Sequence, residues 1–414
     1  MRMMKTSGIR GHQCHRISTE DGGSRTIFRR DINDIRLLAA ADEMLGCRTM
    51  AVAPPEGAGG SYPTTLILED NLKMASEKEI FSLSGPTFLT AIDWNNSHHR
   101  RSIAASLVQG AYTLERDRRQ NRQGPHALAP PWWQFFNFRL VKVLMDDHDV
   151  SNFGAVYEFN FQYPYHNYYL GQRPPQYVIA FRGTVNKAGN REQGFKLNFH
   201  CIFNNLHNST RFQIGFNSVS EIVQRVGPGN VWVAGHSLGS SIALVIGREM
   251  VKAGIHLETY LFNPPFVSPP IERIKNEKLK LGLRLASSVL TAGLAAAVKF
   301  QEKNPFALLS TWIPYLFINP DDPICSEYLG YFKHREDMES IGAGKIGRLA
   351  TKHSIGSIFS GNDGEAVHLL PCAYLSVNLS TYESFKEVHG IHQWWRPDLE
   401  LKYNLYQYKY ESKT

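Results

Sequence analysis

Val231-Trp232-Val233-Ala234-Gly235-His236-Ser237-Leu238-Gly239-Ser240-Ser241-Ile242-Ala243-Leu244-Val245-Ile246 is the stretch on which the reading of this chain turns. Four apolar residues, a Gly-x-Ser-x-Gly turn and a run rich in small and apolar residues predict a buried strand, a sharp turn and a helix. The two glycines remove Cβ atoms where strand and helix nearly touch. A serine at the apex of such a turn presents its hydroxyl at a helix N-terminus, so Ser237 is the candidate nucleophile.

Outward from this turn the pattern repeats. Tyr177-Val178-Ile179-Ala180-Phe181 reads as a short strand ending in Arg182-Gly183-Thr184. Phe212 to Val226 reads as a helix closed by Gly227-Pro228-Gly229, and Glu258 to Phe262 as a strand ending at Asn263-Pro264-Pro265. Trp312 to Asn319 is a further strand, ending at Pro320-Asp321-Asp322-Pro323. Nearer the start, Phe153 to Phe159 reads as a strand, Arg101 to Gln120 as a helix and Trp132 to Met145 as a second helix. Strands alternating with helices imply a mainly parallel α/β sheet with helices on both faces. The polar candidates fall just after strand C-termini, where such sheets place their sites.

A serine hydroxyl is a poor nucleophile at neutral pH. It needs a histidine to take its proton, a carboxylate to orient that histidine, and two donors aimed at the developing oxyanion. Asp322, 85 residues past Ser237, lies after a strand as the acid should, with Asp321 beside it as the alternative. His334, His353, His368, His389 and His392 follow in the chain. The pair His389 and His392 stands beside Trp394-Trp395, an aromatic wall suited to excluding water. The backbone N–H groups of Leu238 and Thr184 are the candidate oxyanion donors. Arg182 reads as a structural ion-pair residue.

Bulk properties set the limits. The 414 residues are 43% hydrophobic, enough for a sizeable core, and carry a formal charge of +7. The basic residues are scattered, which gives no nucleic-acid-binding patch. Five widely spaced cysteines with no Cys-x-x-Cys suit reduced thiols, and hence a cytoplasmic, intracellular protein. Residues 1–73 read as a separate segment with a Pro/Gly/Ala-rich stretch at Pro54 to Gly60. Two readings stand for it: a disordered or transit-like extension, which would direct the protein to a plastid, or residues that an incorrect gene model adds before a start at Met74. Residues 74–414 would then be the domain, with an insertion at 266–311 read either as a lid or lipid-surface segment or as an ordinary buried helix.

The quoted motifs together resemble the class 3 (fungal-type) lipase family. Val178 to Thr184 is similar to its oxyanion strand and turn, Val233 to Gly239 to its elbow, and Phe317 to Ile324 to its acid loop. Aligning Asn319 with the family's asparagine places the acid on Asp322. The family's histidine precedes a Leu and a Tyr-Leu at fixed offsets. His389 reproduces that spacing with Ile391 and Trp394-Trp395, whereas His368 is one position out of register. From Phe81 onward the chain resembles a group of plant lipase-like proteins, through Ala127 to Trp133, Leu261 to Pro265 and His389 to Trp395. Some of that group carry a GDSL esterase/lipase label, although this chain has no Gly-Asp-Ser-Leu block. The resemblance implies an α/β-hydrolase fold and hydrolysis of acyl-lipid esters by Ser237, Asp322 and His389. It implies no metal or organic cofactor, and contact with an ester substrate or a lipid surface. The alternative is a catalytically silent scaffold that keeps the fold for protein interaction.

Overall fold

The computed structural model describes residues 85–161, 173–185, 206–266, 284, 308–340 and 368–408, all within the unit Pro54–Thr414. The segment 1–73, Met74, most of the insertion 266–311 and His353 lie outside the described residues.

Strands β1 (Phe138–Asp146), β2 (Ser151–Phe159), β3 (Tyr177–Phe181), β4 (Val231–His236), β5 (Glu258–Phe262), β6 (Tyr315–Ile318), β7 (Ala373–Asn378) and β8 (Leu401–Tyr406) form one sheet in sequence order. Pairing is parallel from β3 through β7 and antiparallel at both margins, where β1 joins β2, β2 joins β3 and β8 joins β7. The parallel strands are apolar along nearly their whole length, as burial on two faces requires.

Successive residues of each strand supply two different cores. Ile179, Phe181, Val233 and Leu261 face helices α3 (Thr210–Val226), α4 (Leu238–Lys252) and α5 (Glu327–Ser340). Val178, Ala180, Trp232 and Phe262 face helix α1 (Ser97–Arg119), the short helix α2 (Pro131–Gln134) and the C-terminal turn Ile391–Trp395. A sheet that grows in one direction through crossovers of one hand puts its crossover helices on one face. That leaves the opposite face to α1 and the C-terminal turn. The helix ends follow their local chemistry. Asn96 caps α1 by accepting from the His98 N–H, Ser209 caps α3 by accepting from Phe212, and Gly227 ends α3 with φ 81°. No helix among the described residues is long and apolar enough to cross a membrane.

The expected helix at Trp132 to Met145 is not formed. Helix α2 stops after one turn, Asn137 takes φ 60°, and the chain leaves as β1 paired with β2. The apolar residues there are too dense for spacing to separate a helix from a strand. Pairing of Phe138 to Asp146 with Phe159 to Ser151 decides the outcome.

Candidate active site

Each parallel strand delivers one polar element at its C-terminal end: Gly183 and Thr184 after β3, Ser237 after β4, Asn263 after β5, Asp322 after β6. His389 follows β7 at the end of the short helix α6 (Phe385–His389), whose start is fixed by a Ser384–Glu387 capping box.

Ser237 sits at φ 54°, ψ −125°, between β4 and α4. A non-glycine residue held there is strained, and the surroundings enforce it. A Cβ on Gly235 would lie 2.3 Å from the Gly239 carbonyl oxygen, and one on Gly239 would lie 2.3 Å from that of Phe181. The serine N–H donates to the Phe262 carbonyl at 3.0 Å. The side chain is thereby aimed at His389, whose Nε2 is 3.0 Å from Ser237 Oγ. His389 Nδ1 is 2.8 Å from Asp322 Oδ2.

Asp322 is fully buried and accepts from several sides. Oδ1 takes the Ile324 N–H at 3.0 Å, and Oδ2 takes Asn263 Nδ2 at 2.7 Å and the Cys325 thiol at 3.2 Å as well as His389. Burial alone would raise its carboxyl, but attraction to His389 and these hydrogen bonds outweigh burial and hold it below the ordinary carboxylate value. Asp321 instead points its N–H at its neighbour Asn319 and is exposed. His392 is exposed, His334 lies on α5, and His368 is buried edge-on against the Phe266 ring. Of the candidate histidines among the described residues, His389 is the one hydrogen-bonded to both Ser237 and Asp322.

The turn after β3 presses on the serine. A Cβ on Gly183 would meet Tyr112 Oη at 2.6 Å and Ser237 Cβ at 2.8 Å. The Gly183 N–H is taken by Tyr112 Oη at 2.7 Å. The N–H groups of Thr184 and Leu238 have no hydrogen-bond partner among the described residues; Leu238 opens α4, where first-turn N–H groups find none inside the helix. Arg182 is buried and structural, as its sequence context suggested. It donates to the carbonyls of Asn152 and Gly183 and lies 3.9 Å from Glu115.

The backbone around His389 is held at three consecutive carbonyls. Gln393 Nε2 donates to Val388 O at 2.7 Å and Gly390 O at 2.9 Å, and Asn263 Nδ2 also reaches Val388 O at 3.1 Å. His236 Nε2 lies 2.7 Å from His389 O. Gln393 Oε1 accepts in turn from Asn319 and Asn378, and Asn263 Oδ1 accepts from Trp394 Nε1 at 2.6 Å. Sequence reasoning assigned no role to Tyr112, His236, Asn263 or Gln393. Asn263 and Gln393 lie in the quoted Asn-Pro-Pro and His-Gly-Ile-His-Gln-Trp-Trp stretches, and His236 is the first x of the Gly-x-Ser-x-Gly elbow. Tyr112 reads in the sequence as one more residue on an apolar helix face. Among the described residues no cluster of three or more His, Cys, Asp or Glu side chains is arranged to hold a metal.

Residues 172–271 match the family model described as Lipase (class 3). A GDSL esterase/lipase of Arabidopsis thaliana is 48% identical over 350 residues, covering 81% of this chain and 100% of its own. Among solved structures, a lipase from Rhizopus microsporus var. chinensis aligns with TM-score 0.23 at 15% identity, over 41% of this chain and 59% of its own. An esterase of Pyrobaculum calidifontis aligns with TM-score 0.26 at 14% identity, over 66% and 96%. At these scores the structural alignments do not bear on the site. The sheet with its strand–turn–helix elbow and the two sequence matches define an α/β-hydrolase that cleaves carboxylic esters. The chain belongs to the class 3 lipase family.

Proposed function

We propose that Ser237, His389 and Asp322 form the catalytic triad, and that the esters cleaved are acyl lipids. The unbroken path Ser237 Oγ to His389 Nε2 at 3.0 Å and His389 Nδ1 to Asp322 Oδ2 at 2.8 Å carries this reading. Asp322 fixes the tautomer by accepting the Nδ1 hydrogen, which leaves Nε2 as the base. Ser237 Oγ attacks the ester carbonyl carbon as its proton passes to Nε2. The tetrahedral oxyanion is received by the N–H groups of Leu238 and Thr184. Collapse breaks the bond to the leaving alkoxide, which takes the proton from Nε2 and departs as the alcohol. Water then attacks the acyl-serine with the same histidine as base, releasing the carboxylic acid and restoring the serine.

The lipid assignment draws support from the family and from an apolar cluster beside the serine. Leu238 and Ile324 pack with Phe385, apart from both main cores, and each stands close in sequence to one triad residue. A positively charged chain suits peripheral contact with an anionic lipid surface. The buried free thiols of Cys325 and Cys372 suit a reducing, cytoplasmic setting.

A fluorophosphonate probe together with Ser237→Ala tests the reading. The expected result is labelling at Ser237 in the native protein, with neither labelling nor hydrolysis of a p-nitrophenyl ester in the variant. Full esterase activity in Ser237→Ala would overturn it, and an unlabelled serine in a folded native protein would favour the silent scaffold.

A further inference from the structure

We infer that Tyr112 and His236 are a positioning pair that locks the turn after β3 to the loop carrying His389. This rests on the triad reading above and goes beyond it, because neither residue is hydrogen-bonded to Ser237 Oγ or to a His389 ring nitrogen, although the His236 ring lies beside the His389 ring with centroids 5.0 Å apart. Tyr112 Oη lies 2.7 Å from the Gly183 N and 2.8 Å from His236 Nδ1, and His236 Nε2 lies 2.7 Å from the His389 carbonyl oxygen. Proton positions follow from the partners. The Gly183 N–H can only donate, so Tyr112 Oη accepts it and gives its own hydrogen to His236 Nδ1. Nε2 therefore carries the ring hydrogen and donates it to the His389 carbonyl, which can only accept. Every donor meets an acceptor in this one arrangement, so the chain has a fixed direction from turn to loop.

The pair is buried and closely packed. Tyr112 and His236 are 8% and 5% exposed, so an unmet polar atom there would not be rescued by bulk water. Burial, with the nearness of His389, holds the His236 imidazole down to about 3, and burial pushes the Tyr112 hydroxyl up to about 12. Both stay neutral across the working range, and the hydrogen-bond direction stays fixed with them. The link matters because its two ends serve one reaction. Gly183 immediately precedes Thr184, whose N–H is assigned to the oxyanion. The His389 carbonyl belongs to the residue that takes the serine proton. With the Gly183 N–H used by Tyr112, the next N–H along the turn is the one left to face substrate.

Tyr112→Phe keeps the ring and removes the oxygen, and His236→Asn removes the imidazole bridge. The expected result for each is a kcat lower by about tenfold to a hundredfold, with KM within about twofold, as misplacement of reacting groups produces. Affinity for a trifluoromethyl ketone, which forms the tetrahedral adduct, should fall in proportion to kcat. The double variant should be no slower than the slower single variant, since either change breaks the same link. Wild-type kcat in Tyr112→Phe, or losses that multiply in the double variant, would overturn the inference even while Ser237→Ala remains inactive. A purely structural role would lower the unfolding midpoint and leave kcat and ketone affinity unchanged below it, and that outcome also overturns the inference. Activity surviving in Ser237→Ala would remove the triad reading and this inference together.

Discussion

Asp322 and His389 meet at 2.8 Å across a carboxylate with no exposure to solvent. In the proposed triad this carboxylate orients the imidazole and faces the charge that would form on it as the serine proton arrives. Asp322→Asn should separate these roles from mere shape. An amide nitrogen facing Nδ1 would turn Nδ1 into an acceptor, move the ring hydrogen to Nε2 and leave no base toward Ser237. A kcat lower by about 10,000-fold is expected. The amide would also face the donors of Asn263 or Ile324, at about 1–3 kcal/mol of stability. Steady-state kinetics on a soluble ester and urea unfolding check both figures. A variant within tenfold of native kcat would place the acid elsewhere.

His236 makes the stability of the folded protein sensitive to acid. Its unfolded imidazole takes a proton near 6.5, whereas the folded one does so only near 3. Between those values the unfolded state binds more protons, so this contribution is complete above pH 6.5 and is lost as pH falls. From pH 6.5 to 4.5 the loss should be about 2–3 kcal/mol. His236→Asn should flatten the unfolding free energy across that interval relative to the native protein. Equal slopes in the two proteins would mean that His236 charges as readily folded as unfolded.

Gly239→Ala tests the close approach that holds the elbow open. The new Cβ would lie 2.3 Å from the Phe181 carbonyl oxygen and 2.6 Å from that of Arg182, both backbone atoms of the β3 end. They can yield only if β3 separates from the start of α4. A loss of roughly 3 kcal/mol or more is expected, seen as a lower urea midpoint. Gly229→Ala is the control: nothing described lies within 4 Å of where its Cβ would stand, and it should change stability by less than about 0.5 kcal/mol.

These elements differ in how far the amino-acid sequence exposes them. Val231 to Gly239 and Tyr177 to Thr184 are legible because strand, turn and steric demand are all local: the glycines that permit the elbow are two residues either side of Ser237. Phe138 to Asp146 is not, because its dense apolar residues suit either period and the deciding partner, β2, pairs only in three dimensions. The link through Tyr112 and His236 is hidden for a related reason. Its bonds span 71, 124 and 153 residues, and a tyrosine on an apolar helix face carries no local sign of a polar partner. Asn263 likewise reads as part of a turn, although its amide joins Asp322, Val388 and Trp394.

Phe385 separates acyl binding from support of the base. Its ring stacks on the His389 imidazole, with centroids 5.3 Å apart and planes 6° from parallel. It also packs against Leu238 and Ile324 beside the serine. If this wall receives the acyl chain, each methylene that reaches it gains up to about 0.8 kcal/mol by leaving water. Phe385→Ala would withdraw part of that gain from long chains alone, whereas loosening of His389 would slow all esters by one factor. The ratio of kcat/KM for a twelve-carbon ester over a four-carbon ester cancels the shared factor. Two to three methylenes' worth of lost contact corresponds to a ratio lower by roughly tenfold or more. An unchanged ratio beneath a common loss would leave Phe385 as a support for the imidazole and move the acyl site to another wall.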